Sequence, residues 1–220
     1  MINKKPQLSF RQIANINDFH FEKALAIYDE SFPSNEKHPL SLIKKRVTEK
    51  TSSLHVGLLN DKVVCMALLW DFNDLEFVLL DYMAVDKEHR NNKIGAIFFK
   101  YLSDIIKTCN KYIIIEAENY LFGNNKEVRK KRINFYLKNG AFMLRDIPYI
   151  LPSLDETVPT EMSLMISPRF KKDYMNFEKI EKLIKSLYIN LYGKTENDTL
   201  LISILKNTPK KISQNNDLIS

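Results

Sequence analysis

Two places along this 220-residue chain combine residue types and spacings that could do chemistry. The first is Met83-Ala84-Val85-Asp86-Lys87-Glu88-His89-Arg90-Asn91-Asn92-Lys93-Ile94-Gly95-Ala96. An apolar run ends, a polar basic loop follows, and a helical pattern opens on a pair of small residues. The first backbone N–H groups of a helix have no intrahelical acceptor and sit at the positive end of the helix dipole, a general arrangement for holding phosphate. Gly95 and Ala96 leave room for a ligand to approach the backbone. On these residues alone, an ordinary strand-to-helix connection with small residues for packing fits equally well. The second place is YIIIEAE, residues 112–118. Strand alternation puts Tyr112, Ile114, Glu116 and Glu118 on one face, so two carboxylates project together and either could accept a proton. Carboxylates at a strand end that simply face water are the plain alternative. Glu76 and Asp81 are weaker candidates of the same kind.

Other chemistries lack their residues. There are only five glycines, and neither GxGxxG nor GxxxxGK[ST] occurs. No serine stands in a GxSxG context. His38 and His55 show no metal-ligand spacing, so no metal is expected. Lys126, Arg129, Lys130, Lys131 and Arg132 form a dense basic run without interleaved aromatics, which reads as a solvated helix face in preference to a nucleic-acid surface.

The elements that must position these residues follow from periodicity. Leu8–Ile13 is a short strand, and Asp18 is expected to cap a helix with apolar positions Phe21, Ala24, Leu25, Ile27, Tyr28 and Phe32. Pro33 ends it, and a second short helix lies near Leu40–Val47. SLHVGLLN, KVVCMALLWDF and EFVLLDYMAV read as three successive strands joined at Asn60-Asp61 and Asn73-Asp74. A helical stripe of Ile94, Ile97, Phe98, Tyr101, Leu102, Ile105 and Ile106 precedes the YIIIEAE strand. A further helix covers about Val128–Lys138 and ends at Asn139-Gly140, and AFMLR and EMSLMIS supply two last strands. The order predicts an α+β fold with a mixed central sheet, partly parallel, flanked by helices.

Lys+Arg number 33 against 27 Asp+Glu, a net charge of +6, and 45% of residues are hydrophobic. That composition is globular. Cys65 and Cys109 lie in apolar runs and read as reduced core thiols. MINKKPQLSFRQ lacks the apolar core of a signal peptide and no apolar stretch is long enough to span a bilayer, so a soluble cytoplasmic protein is expected. From Pro168, Phe170, Tyr174, Phe177, Ile180, Ile184, Leu187 and Leu191 recur at threes and fours. This predicts a C-terminal helical extension, 168–207, packed on the main domain, 1–167, or on a second subunit as a homodimer through these helices. Residues 208–220 read as a flexible tail.

Arg90-Asn91-Asn92-Lys93-Ile94-Gly95-Ala96, directly after a strand ending Met-Ala-Val, resembles the (Q/R)xxGx(G/A) acyl-CoA pyrophosphate loop of the GNAT N-acetyltransferase superfamily. Arg132-Ile133-Asn134-Phe135-Tyr136-Leu137-Lys138-Asn139-Gly140-Ala141-Phe142 is similar to that superfamily's FYxxxGF signature. The element order from Leu8 to Ile166 is also similar, covering about three quarters of the chain. Two departures stand out: Lys93 occupies the position of the usual first glycine, and Arg129 that of an Asn which in many members contacts the pantetheine arm.

The resemblance implies a GNAT-type fold and acetyl-CoA as co-substrate. Backbone groups of Met83, Ala84 and Val85 would pair with the pantetheine amides, and an N–H near Val85 would polarise the thioester carbonyl. The N–H groups of Asn91, Asn92, Lys93, Ile94, Gly95 and Ala96 would hold the diphosphate, helped by the charges of Arg90 and Lys93. Tyr136 would protonate the departing thiolate. An acceptor amine of pKa about 10.4 is mostly charged at pH 7 and needs a base. Glu116 or Glu118 would serve, directly or through water. The acceptor pocket would draw on Glu36, Tyr28, Trp70 and Tyr149, with Phe32 and His38 nearby. The implied activity is direct acetyl transfer to a primary amine in a ternary complex. An acyl-CoA-binding regulatory module is the alternative, and nucleic-acid binding through 126–132 is a more distant one.

Overall fold

Near-continuous apolar runs after Thr51 form three long strands, β2 (Ser52–Leu59), β3 (Lys62–Asp71) and β4 (Phe77–Val85), as expected. The computed structural model describes residues 7–32, 37–153 and 158–219. The chain divides into two units, Met1–Asp71 with Val78–Ile105, and Phe72–Phe77 with Ile106–Ser220.

The first unit holds β1 (Leu8–Gln12), α1 (Phe21–Ser31), α2 (Leu40–Thr48), β2, β3, nearly all of β4 and most of α3 (Ile94–Thr108). Its strands run β1-β2-β3-β4, each antiparallel to the next. Asn60 and Asp61 join β2 to β3 with φ of 49° and 63°, the left-handed pair that a two-residue hairpin requires and that Asn and Asp tolerate. Leu54, Val56, Met66, Leu68, Tyr82 and Ala84 share one core cluster with Phe21, Leu25, Tyr28, Ile43 and Val47 of α1 and α2. Alternation sends Phe10 and His55 to the other face, where they meet Phe98 and Tyr101 of α3.

Asp18 does not cap α1. The helix starts at Phe21 after His20. Asp18 accepts the His20 N–H at 3.0 Å and grips Arg11 of β1 with two 2.7 Å bonds. Those bonds hold its carboxyl down to about 2. Of the two thiols, Cys65 is buried but Cys109 is exposed, because α3 ends at Thr108 and Cys109 falls in the turn before the next strand.

The second unit holds β5 (Tyr112–Glu118), α4 (Lys126–Lys138), β6 (Phe142–Leu144), β7 (Ile150–Leu151), β8 (Thr160–Ser167), β9 (Tyr174–Asn176), α5 (Phe177–Ser186), a π-helical turn (Leu187–Leu191), α6 (Thr199–Asn207) and β10 (Lys211–Asn215). Its strands run β5-β8-β6-β10-β9, with β7 on β8. The expected C-terminal helices are present. Ile180, Leu183, Ile184, Leu187, Tyr188 and Leu191 are buried within this chain, whereas Tyr174 of the same stripe is exposed. The segment read as a flexible tail contains β10, which pairs with β6 on one side and β9 on the other. Ile212 is buried there, and Ile219 exchanges two hydrogen bonds, 2.8 and 2.9 Å, with the Asn134 side chain. KISQN has one apolar residue, too few to reveal a strand by alternation.

Candidate active site

In the first unit, β4 runs into a loop that Asp86 organises. Its N–H donates to Val64 O at 2.9 Å, its carboxylate accepts the Glu88 N–H at 3.0 Å, and Lys23 of α1 lies 3.5 Å away. Burial opposes the ionised form, but the Glu88 N–H and Lys23 outweigh it and hold Asp86 below its ordinary value. After a short 3₁₀ turn, Lys87–His89, comes the segment expected to hold an anion. Asn91 and Lys93 both have left-handed backbones, φ 66° and 60°. Lys93 thus keeps the conformation for which glycine is the default, at a steric cost of about 1–2 kcal/mol. Its carbonyl accepts the N–H of Ile97 at 3.1 Å. The N–H groups of Ile94, Gly95 and Ala96 precede that first helical bond. Asn91, Asn92 and Lys93 are exposed, so this backbone is open to a ligand. Arg90 turns back and donates from Nε to Val85 O at 3.1 Å.

β4 itself is irregular. Leu68 pairs with Tyr82 but Leu69 pairs with Leu80, so Asp81 is one residue in excess, a bulge just before Met83–Val85.

In the second unit, Glu116 and Glu118 of β5 have different surroundings. Glu116 accepts a short hydrogen bond from the Tyr149 hydroxyl on one oxygen and a 2.5 Å bond from Tyr192 on the other. Burial raises its pKa, and the two hydroxyls, pulling the other way, do not cancel that. Glu118 lies between Arg129 at 2.7 Å and Arg132 at 3.0 Å. Arg129 also donates to Phe122 O at 2.7 Å, and a Cβ on Gly123, whose φ is +64°, would stand 2.9 Å from its guanidinium. In place of an Asn, then, α4 carries an arginine that shapes the loop between β5 and α4. Two arginines of the basic run thus share one carboxylate, and Lys130 faces Glu127 at 3.4 Å. Tyr136, half-buried on α4, has its pKa pushed up to about 12 by burial, with Arg132 pulling slightly the other way.

The described residues among those expected at the acceptor pocket have different surroundings. Glu36 lies outside the described residues. Tyr28 is 0% exposed in the first unit's core, its hydroxyl donating to His38 O at 3.0 Å. It packs edge-on to Tyr82, as Phe32 also does. Tyr149 is 1% exposed and is committed to Glu116. Both tyrosines were expected at a pocket wall but are core side chains, because each ring is enclosed and each hydroxyl already has an acceptor. Trp70 is half-buried beneath the guanidinium of Arg46.

Sequence reasoning missed three residues that matter here. Asp86 carried a signal, a capping residue just before a short helical turn. Arg46 carried one too, a charge within the apolar stripe of Ile43 and Val47. Tyr192 carried none, since its partner is 76 residues away.

The sequence profile described as Acetyltransferase (GNAT) family matches residues 21–140, more than half of the chain. The chain belongs to the GNAT acetyltransferase family. A mixed sheet flanked by helices, the α+β class expected, is the GNAT fold, and the acyltransferase class follows from membership. A GNAT-family protein from Bacteroides thetaiotaomicron is similar in structure, with a TM-score of 0.71 and 24% identity over 85% of this chain and 99% of that one. ElaA of Escherichia coli superposes at 0.51 with 16% identity, over 72% of this chain and 99% of its own. An aminoglycoside 6′-N-acetyltransferase complexed with coenzyme A superposes at 0.55 with 14% identity, over 74% and 99%. At these identities the likeness concerns the fold. A search of curated proteins finds no match. Among the described residues, no helix of this GNAT protein is long and apolar enough to cross a membrane.

Proposed function

We propose that this GNAT chain transfers the acetyl group of acetyl-CoA to a primary amine by direct attack in a ternary complex. The observation that carries the reading is the backbone at Lys93, whose φ of 60° is left-handed, a conformation that glycine adopts most readily. With Asn91 also left-handed and the first N–H groups of α3 ahead of any helical bond, the loop fits a diphosphate. Arg90, Asn91, Asn92, Lys93, Ile94, Gly95 and Ala96 are assigned to that diphosphate. The backbone of Met83, Ala84 and Val85 is assigned to the pantetheine arm. The coenzyme A held by the aminoglycoside 6′-N-acetyltransferase supports the same ligand here by analogy.

In the chemical step the amine nitrogen forms a bond to the thioester carbonyl carbon, the C–S bond breaks, and the proton lost by nitrogen is balanced by one gained by sulfur. Glu116 is assigned as the base, directly or through water, because burial raises it in the direction a general base needs. Glu118, held by two guanidiniums, is assigned to placing α4. Tyr136, protonated at any working pH by its upward shift, is assigned as the acid. Trp70 is the expected acceptor residue that keeps exposed surface, and it and Glu36 remain assigned to the acceptor.

The test is thiol release from acetyl-CoA across a library of primary amines, with acetyl-CoA affinity measured in parallel. Release with at least one amine is the expected result. Binding without release throughout would make the protein an acyl-CoA-binding module, and no binding would remove the cofactor reading altogether.

A further inference from the structure

Arg46 stands on the inward face of α2, only 7% exposed, among Ile43 and Val47. A guanidinium in such a place is costly unless it is paired. Its Cζ lies 4.7 Å from the centre of the Trp70 ring, and its Nη1 lies 3.5 Å from Oδ2 of Asp81. The two charged side chains are 9% and 11% exposed. Asp81 is the extra residue of the β4 bulge, while Trp70 pairs with Leu79 on the far side of that bulge. One side chain from α2 therefore stacks on the ring of the strand opposite and stands in ion-pair contact with the bulge residue, although neither Nη1 nor Oδ2 makes a hydrogen bond. A bulge bends its strand and increases its twist, so its shape sets the course of the residues that follow. Those residues begin with Tyr82, which packs edge-on against the rings of Tyr28 and Phe32 at 4.8 and 4.9 Å, and continue with Met83, Ala84 and Val85.

We propose that Arg46 is a positioning residue for the cofactor strand, acting through Asp81 to fix the bulge and so the placement of the Met83–Val85 backbone. The proposal rests on the reading of Met83–Val85 given above. An apolar pair of similar volume would fill the same space at least as stably, so stability alone does not account for two buried charges. What the buried charges add is a constraint: moving Asp81 away from Arg46 would leave two opposite charges apart in a poorly solvated place, which restricts how the bulge can relax.

Arg46→Met keeps a long side chain over Trp70 and removes the charge; Arg46→Lys keeps the charge and removes the planar fork. For each, acetyl-CoA affinity is measured by calorimetry and backbone amide exchange is followed along the first unit. Arg46→Met is expected to weaken acetyl-CoA binding roughly 10- to 100-fold, the scale on which displaced positioning groups act. Exchange is expected to quicken at Tyr82–Val85 while the amides of β2 and α1 keep their protection, with Arg46→Lys intermediate. Arg46→Lys carries the same comparison if Arg46→Met does not fold. Wild-type affinity together with wild-type exchange at Met83–Val85 would overturn the proposal. So would a uniform loss of protection over the whole unit, which marks a purely structural role. Should the wild-type protein bind no acetyl-CoA, the cofactor reading fails separately, and local against unchanged exchange at Met83–Val85 still decides whether Arg46 fixes the strand.

Discussion

The guanidinium Nε of Arg90 lies 3.1 Å from the carbonyl oxygen of Val85, so the loop's arginine closes onto the last residue of the strand before it. In the proposed function these two residues serve different parts of one ligand, Val85 the pantetheine arm and Arg90 the diphosphate. The bond to Val85 uses only the Nε–H, so the remaining N–H groups of Arg90 are the ones assigned to a phosphate, a stronger, charge-assisted partner. Arg90→Ala is expected to raise KM for acetyl-CoA about tenfold while leaving kcat within about twofold, the loss of roughly one charged hydrogen bond. Steady-state kinetics at saturating amine measure this. An unchanged KM would mean that Arg90 stays on Val85 and takes no part in binding.

Lys93 offers a second check, because its backbone and its side chain make opposite claims. Lys93→Gly relieves the left-handed conformation and should keep acetyl-CoA affinity within about threefold. Lys93→Val places a β-branched residue where it is sterically worst and should weaken binding by about tenfold or more. If the glycine variant binds as poorly as the valine variant, the ammonium and not the backbone is what the loop supplies.

Tyr136→Phe removes one oxygen from a half-buried ring. If the hydroxyl protonates the leaving thiolate, kcat should fall about 10²-fold or more with acetyl-CoA affinity nearly unchanged. Turnover at the wild-type rate would strip Tyr136 of that role.

Glu116 predicts a pH profile. Its pKa lies above the ordinary carboxylate value, and a base works only when deprotonated. Activity should therefore fall on the acid side, with the inflection of kcat/KM above about 4.3 and shifting when Tyr192→Phe removes one of the two hydroxyls. An acid limb insensitive to Tyr192→Phe would point to a different base.

His55 predicts an acid-sensitive fold. Burial lowers its pKa from 6.5 to about 4. Above pH 6.5 the ring is neutral in both folded and unfolded chains and costs nothing. Between 6.5 and about 4 only the unfolded chain takes up the proton, so stability is lost as pH falls through this window. The loss is about 2 kcal/mol by pH 5, and below about 4 it grows no further. Urea unfolding at pH 7 and pH 5 should show a smaller loss for His55→Leu than for the wild-type chain. Equal losses would place the acid sensitivity elsewhere.

How far the site was legible varies residue by residue. The loop from Arg90 to Ala96 could be read because its chemistry is carried by backbone, and backbone conformation depends on neighbours in the chain. The paired carboxylates could be placed on β5, but not told apart. Glu116 differs from Glu118 through Tyr149, Tyr192, Arg129 and Arg132, and the nearest of these is 11 positions from Glu118. Tyr28 and Tyr149 were expected at the acceptor pocket. Burial and a committed hydroxyl made them core.

By itself the amino-acid sequence determined the apolar strands β2 to β4, the helical stripe of α3, the Asn60-Asp61 hairpin and the polar turn that leads from β4 into α3. Each of these follows from sterics and periodicity within a few residues. Only the tertiary structure decided that Arg46 meets Asp81 across a bulge, that Glu116 is held by Tyr192, and that the last residues return as β10 between β6 and β9. Those outcomes turn on which distant side chains packing brings within a few ångströms, and on how burial then weighs each charge against its partner.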